Sequence, residues 1–132
     1  MMEVDVLPEH LIIIGGSYIG LEFAQMYRRF GSRVTVVEMG SRLIARDDED
    51  VSAAVREIVE NESVEVRLDA ECIRVENRNG QVAVGLSCTK VSKEVIGSHI
   101  LLAVGRRPNT DGLDLQNADI ETDERGFIKV DN

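Results

Sequence analysis

Hydrophobic positions along this chain fall into two kinds of pattern, and the alternation between them predicts the architecture. His10 to Ile14 is an apolar run that ends in Gly15-Gly16, as expected of a strand buried on both faces that leaves its sheet through a tight turn. From Tyr18 to Phe30 the spacing changes. Ile19, Phe23, Met26, Tyr27 and Phe30 recur every three or four residues and Gly31 supplies a stop, which predicts an amphipathic helix. Arg33 to Val37, rich in β-branched residues, reads as a second strand ending at Glu38. Asp47 or Asp48 can cap a second helix, because Asp47-Asp48-Glu49-Asp50 places negative charge at the positive end of the helix dipole. Val51, Val55, Ile58 and Val59 form the expected buried stripe of that helix, and Val64 to Leu68 a third strand. Strand, helix, strand, helix, strand implies a parallel sheet with right-handed crossovers.

The second half changes character. Cys72 to Glu76 and Val82 to Leu86 flank Asn77-Arg78-Asn79-Gly80, and an Asn-Gly pair that takes positive φ makes this a hairpin. A further strand around Glu94 to Ile96 completes a small antiparallel meander, after which the apolar run Ile100 to Val104, ending at Gly105, returns to the parallel sheet. Arg106 to Asn117 has the Pro, Asn, Asp and Gly content of a loop, and Gly126 to Val130 reads as a final short strand. The fold class is therefore α/β, a parallel sheet with flanking helices whose last crossover is a three-stranded meander.

Composition narrows the partners. The chain has 132 residues, 43% of them hydrophobic, enough for one domain with a core. Fifteen basic against 24 acidic residues give a net charge of -9, which repels nucleic-acid phosphates and acidic lipid. No apolar run approaches the roughly 20 residues that span a bilayer, and Met1 to Asp5 lacks the basic and apolar regions of a signal peptide. A soluble, cytoplasmic protein with neither nucleic acid nor membrane as partner is the expectation. Cys72 and Cys88 stand in no metal-ligand spacing and read as buried reduced thiols on separate strands, while His10 and His99 read as incidental surface or strand-end residues. No metal site is expected.

Chemistry concentrates at Gly15-Gly16-Ser17-Tyr18-Ile19-Gly20. Glycine holds the first and last positions of the GxGxxG pattern, and Ser17 replaces the middle one. The first glycine permits the sharp turn and the last lets the helix pack closely on the sheet, whereas the middle one lets a pyrophosphate approach the backbone. Serine keeps a hydrogen-bond donor and is small, so a phosphate can still sit on the amides at the helix N-terminus. Glu38 ends the next strand about 20 residues on, which completes the pattern of a dinucleotide-binding domain of the Rossmann type. A carboxylate there accepts the hydroxyl hydrogens of an adenosine ribose and repels a 2′-phosphate. NAD is favoured over NADP, with Arg42 and Arg46 as the counterweight should their loop fold back.

The same glycine segment extends into a resemblance that covers nearly the whole chain. Leu7-Pro8 through Ile14, Gly15 through Glu22, Val34 to Glu38, Ala103-Val104-Gly105-Arg106-Arg107-Pro108-Asn109-Thr110 and Gly126 through Asp131 together resemble the central NAD-binding domain of the pyridine nucleotide-disulfide oxidoreductases. This is the group of dihydrolipoamide dehydrogenase, glutathione reductase and mercuric reductase, and the glycine segment looks closest to the mercuric-reductase-like members. In that family the nicotinamide passes hydride to a bound FAD, which reduces a cysteine pair. The resemblance implies that Gly15, Gly16, Ser17, Tyr18 and Ile19 meet the pyrophosphate, with Tyr18 also where some members place an aromatic lid. It assigns Glu22 to the nicotinamide carboxamide and Glu38 to the ribose. Cys72 would lie near the adenine through its backbone, and Gly105 would approach the cofactor closely.

The family's flavin-binding glycine turn, redox cysteine pair and C-terminal catalytic histidine have no counterpart among these residues. Residues 1–132 are therefore expected to be one NAD(H)-binding domain of a larger flavoprotein. Its partner would be the flavin domain of the same polypeptide, within a protein that is a homodimer at full length. FAD would belong to the full-length protein and not to this chain, and no catalytic residue is assigned here. Two other readings share the first half of the pattern: an autonomous nucleotide-sensing module, and a methyltransferase, which explains neither Gly105 to Thr110 nor the meander. The terminal electron acceptor is not legible, because the residues that choose it would lie elsewhere.

Overall fold

The computed structural model describes residues 4–70, 73–86 and 94–130. Four parallel strands form the central layer: β1 (His10–Ile14), β2 (Arg33–Val37), β3 (Glu65–Arg67) and, numbered in chain order after the meander, β7 (His99–Leu102). Their spatial order is β3-β2-β1-β7. The helices α1 (Tyr18–Arg29) and α2 (Glu49–Asn61) make the crossovers between β1, β2 and β3. An antiparallel sheet of β4 (Arg74–Arg78), β5 (Gln81–Gly85) and β6 (Glu94–Gly97) makes the crossover from β3 to β7, as the sequence predicted.

The two faces of the parallel sheet are separated by the period-two alternation of its strands. Leu11, Ile13, Val34 and Val36 face the helices and pack with Leu21, Ala24 and Tyr27 of α1 and Val59 of α2. Ile12, Ile14 and Val37 face the other way and pack with Val84, Leu86 and Val95 of the meander. Because β1 lies between β2 and β7 and between both outer layers, all five of its residues are buried. Each fully buried Leu or Ile contributes about 1.5–3 kcal/mol, which makes β1 the densest source of stability in the chain.

Several expected details are corrected. The second helix buries Ser52 and Val59 with Val55 half-buried, whereas Val51 and Ile58 are exposed. The helix is rotated because the Ser52 hydroxyl donates to the Leu43 carbonyl at 2.6 Å, turning that face toward the loop that precedes it. Ile19 and Phe30 of the first helix are likewise exposed. The hairpin turn is two residues long, Asn79 (φ 54°) and Gly80 (φ 83°), so Asn77 and Arg78 belong to the strand; two consecutive positive φ values match the twist of a hairpin. β7 is half-buried to exposed and lies at the sheet edge. The expected strand Gly126–Val130 reduces to one isolated bridge, Thr122 with Ile128. Cys72 and Cys88, expected as buried thiols, lie outside the described residues.

His10 is not the incidental residue its isolation in the sequence suggested. It is 8% exposed, and its Nε2 stands 2.9 Å from the Thr35 hydroxyl, which itself donates to Glu65 at 3.0 Å. With the single hydroxyl hydrogen given to the carboxylate, Nε2–H is the donor to Thr35. Burial, and next the charge of Arg33, push the His10 pKa below its ordinary value of 6.5, against the pull of the Ile96 carbonyl, Glu65 and Glu9. A histidine whose folded pKa is depressed favours the folded state while neutral, so its contribution is complete above the unfolded pKa and is lost as pH falls through the lower folded value. His10→Gln should therefore destabilise the chain by about 1–2 kcal/mol at neutral pH through the broken buried hydrogen bond. Denaturant melts should show that deficit shrinking as pH is lowered to about 5.5, and a deficit constant with pH would refute the assignment.

Candidate functional site

The order β3-β2-β1-β7 reverses direction beside β1: the chain first builds outward through β2 and β3, then returns to the opposite edge. In an open parallel sheet such a reversal leaves a crevice beyond the carboxyl ends of the strands. Gly15 stands in it. Its N–H donates to the Val37 carbonyl at 2.8 Å, and a side chain there would meet the Ala103 carbonyl oxygen at 2.5 Å. Its φ of +112° lies in a region that L side chains rarely adopt. Both the conformation and the space therefore require glycine at the exit of β1.

Helix α1 begins three residues later. A Cβ on Gly20 would collide with the Gly15 carbonyl, so the glycine lets the first turn of α1 lie directly on the strand exit. Ser17 is the N-cap with extended backbone, but its side chain makes no capping bond. Ser17 thus stands at the first amides of α1, the place where the helix dipole and N–H groups without intrahelical partners attract an anion. Ser17, Tyr18 and Ile19 are all exposed at this end of the helix.

Glu38 joins this turn directly. One carboxylate oxygen accepts from the Gly16 N–H at 2.6 Å and the other from the Gly40 N–H at 2.8 Å. A side chain at Gly16 would strike Leu43 Cδ2 at 2.6 Å and Glu38 Cβ at 3.1 Å, so the second glycine of the turn is what lets the carboxylate reach the backbone. The loop between β2 and α2 is fastened to the turn a second time, by the Ile44 N–H donating to the Gly16 carbonyl at 2.8 Å. Ile44 holds φ of +38° to make that bond; a left-handed conformation costs such a residue about 1–2 kcal/mol, offset here by burial of its side chain. A third tie runs from the Tyr18 hydroxyl to the Asp47 carboxylate. That hydrogen bond, ahead of desolvation, raises the Tyr18 pKa above its ordinary value.

Of the residues singled out from the sequence, Gly15, Gly16, Ser17, Tyr18, Ile19 and Glu38 are brought together at this crevice. Glu22 is exposed on the next turn of α1. Gly105 lies two residues beyond Ala103 with φ of +140° and no atom within 4 Å of where a side chain would stand, so within this chain its glycine serves the backbone conformation and not a close packing contact. Cys72 lies outside the described residues. Arg42, weighed above as a phosphate ligand, donates instead to the Ala45 carbonyl at 3.0 Å. The sequence reading missed Gly40 and Asp47 as partners of the site. Gly40, placed two residues after the acid, was the available signal, since a carboxylate at a strand end readily accepts from the amide two positions on.

Comparison with known proteins agrees with this geometry. A family model described as pyridine nucleotide-disulphide oxidoreductase matches residues 2–132. A mercuric reductase of Streptomyces lividans is 40% identical over 131 residues, covering 98% of this chain and 27% of that protein. A dihydrolipoyl dehydrogenase of Thermus scotoductus is 37% identical over 126 residues, covering 94% of this chain and 27% of that one. The solved structure of the HOCl-induced flavoprotein disulfide reductase RclA from Escherichia coli superposes with a TM-score of 0.86 at 36% identity, over 98% of this chain and 29% of that one. This chain therefore corresponds to between a quarter and a third of the length of each of these relatives. With a family match over nearly all of its residues and a shared fold at more than one-third identity, the chain belongs to the pyridine nucleotide-disulphide oxidoreductase family.

Proposed function

We propose that these 132 residues are the NAD(H)-binding domain of a FAD-dependent disulfide oxidoreductase, holding the nicotinamide dinucleotide while the rest of the polypeptide holds the flavin. The observation that carries this reading is the Glu38 carboxylate fixed against the Gly16 amide at the reversal point of the sheet. The residues fit a dinucleotide in three respects. Gly16 and Gly20, where a Cβ would strike Leu43 and the Gly15 carbonyl, let the turn fold tightly onto the strand exits and bring the first amides of α1 beside it. The N-cap Ser17 makes no capping bond with its side chain. An acid stands one strand away, at the distance in sequence that a ribose needs.

In this reading Gly15 to Ile19 bind the pyrophosphate through the first amides of α1 and the Ser17 hydroxyl, which replaces the approach that a middle glycine would allow. Glu38 accepts the adenosine ribose hydroxyls and repels a 2′-phosphate, while Arg42 donates to the Ala45 carbonyl. Glu22 lies along α1 toward the nicotinamide carboxamide, with Tyr18 beside it. Gly105 and Cys72 complete the proposed set from the family resemblance. When bound, the nicotinamide supplies the hydride that the flavin of the complete protein accepts.

A surface of exposed apolar residues supports the reading of one domain within a longer polypeptide. Leu102, Val104, Leu113, Phe127 and Val130 are each about half or more exposed, Val130 at 84%. They lie at the end of β7 and beyond it, where the chain leaves the sheet, and the proposal assigns them to contact with the flavin domain. Among the described residues no helix is long and apolar enough to cross a membrane; a cytoplasmic location is proposed for the complete protein. A homodimer is proposed for the complete protein.

Calorimetric titration of the chain tests the cofactor. NADH should bind more tightly than NADPH, and Glu38→Ala should weaken NADH by about 10- to 100-fold, the loss of one or two charge-assisted hydrogen bonds. Equal or reversed affinities in the unsubstituted chain would overturn the NAD assignment. The same preparation should carry no flavin absorbance and consume no NADH with disulfide or metal-ion acceptors, because a hydride acceptor must be held about 3–3.5 Å from the nicotinamide. A yellow protein, or steady NADH oxidation, would show that the chain is a complete enzyme.

A further inference from the structure

We propose that the Gly40 amide is a positioning group which turns Glu38 into a two-oxygen reader of a vicinal diol, so that cofactor choice depends on a residue that never touches the ligand. This rests on the reading of Glu38 as the ribose acceptor and deepens it. An ionised carboxylate offers two lone-pair directions on each oxygen. Here one direction on each is already filled, Oε2 by the Gly16 N–H at 2.6 Å and Oε1 by the Gly40 N–H at 2.8 Å. One acceptor direction per oxygen remains, and the two are fixed side by side. Adjacent hydroxyls on a ribose present two donors side by side, one for each oxygen, whereas a 2′-phosphate brings negative charge and no donor.

The second amide matters because the first alone leaves the carboxylate free to rotate about the end of its side chain, a broad and soft torsion. Gly40 is itself immobilised from behind. Its carbonyl accepts from the Asp69 N–H at 3.0 Å, and the Glu38 carbonyl accepts from the Ala70 N–H at 3.1 Å, so the exit of β3 holds the corner from Glu38 to Gly40 on both sides. The Glu38 N–H completes the frame by donating to the Arg67 carbonyl at 2.8 Å. The carboxylate is thus gripped between the exits of β1 and β2, with β3 as the backing. A diol meets acceptors that need no reorganisation on binding.

Three variants of the chain test this with NADH and NADPH titrations, each accompanied by a thermal melt. Gly40→Ala keeps the N–H and places a Cβ 3.4 Å from the carboxylate; it should keep the unsubstituted preference for NADH. Gly40→Pro removes the N–H and should lower that preference about tenfold, by weakening NADH while leaving NADPH affinity nearly unchanged. A merely structural role would weaken both ligands together. Glu38→Asp retains the charge on a side chain one methylene too short to reach both amides, and should lose the preference in the same way, which decides the matter if Gly40→Pro does not fold. Retention of full preference by Gly40→Pro, or by Glu38→Asp, overturns the proposal while leaving the ribose reading intact. Absence of any NADH preference in the unsubstituted chain overturns the ribose reading and this proposal with it.

Discussion

β1 is paired on both edges and covered on both faces, and that confinement governs how the chain can leave it. Val37 of β2 and Ala103 beyond β7 stand on either side of its exit, close enough that the residue after Ile14 can carry no side chain. Gly15 resolves the constraint with φ of +112°, which turns the backbone away from the sheet and sets α1 down across the strand ends. Everything chemically interesting follows from that one turn. Its amides face the crevice, Gly16 presents an N–H to Glu38, and Gly20 lets α1 rest close enough for its N-terminus to point into the same space. The stability of β1 is therefore what holds the turn and the first amides of α1 in one conformation.

The legible part of this protein was the part dictated by local pattern. The limits of β1 and β2 match the apolar runs, and the sequence pattern of α1 ends where Gly31 takes a positive φ. The glycine segment and the acid at the end of β2 were found by spacing, since turn geometry and strand length fix how far apart they must lie. What escaped was set by tertiary contacts. Val51 and Ile58 satisfy helical periodicity as well as Val59 does, and the face that turns inward is the one where Ser52 donates to the Leu43 carbonyl and Val59 packs into the core. His10 has no neighbours in sequence that mark it, and its partners Thr35 and Glu65 come from two other strands. Gly126 to Val130 has a strand-like composition but pairs through a single bridge, because among the described residues no neighbouring strand is there to extend it.

The loop between β2 and α2 shows how a site can be built from ordinary backbone groups. Leu43 is wholly buried and Ile44 nearly so, so the loop is anchored by packing first and by hydrogen bonds second. Its ties to the glycine turn run through Gly16 in both directions, as donor to Glu38 and as acceptor from Ile44. Arg42 is folded back onto the loop at Ala45, while Asp47 and Arg46 lie near Tyr18 at the start of α1. The loop thus acts less as a connector than as one wall of the crevice.

The central claim is that the crevice at the exit of β1 receives the dinucleotide, with the adenosine ribose toward the exit of β2. Amide chemical shifts of the isotopically labelled chain, followed as NADH is added, test it most directly because the argument turns on backbone N–H groups. The account predicts that the largest changes fall on Gly16, Ser17, Tyr18 and Ile19, with a second set at Glu38 and Gly40. Changes confined to the polar hollow around His10, Arg33 and Glu65, or to the loop from Arg107 to Arg125, with the glycine turn unmoved, would contradict it.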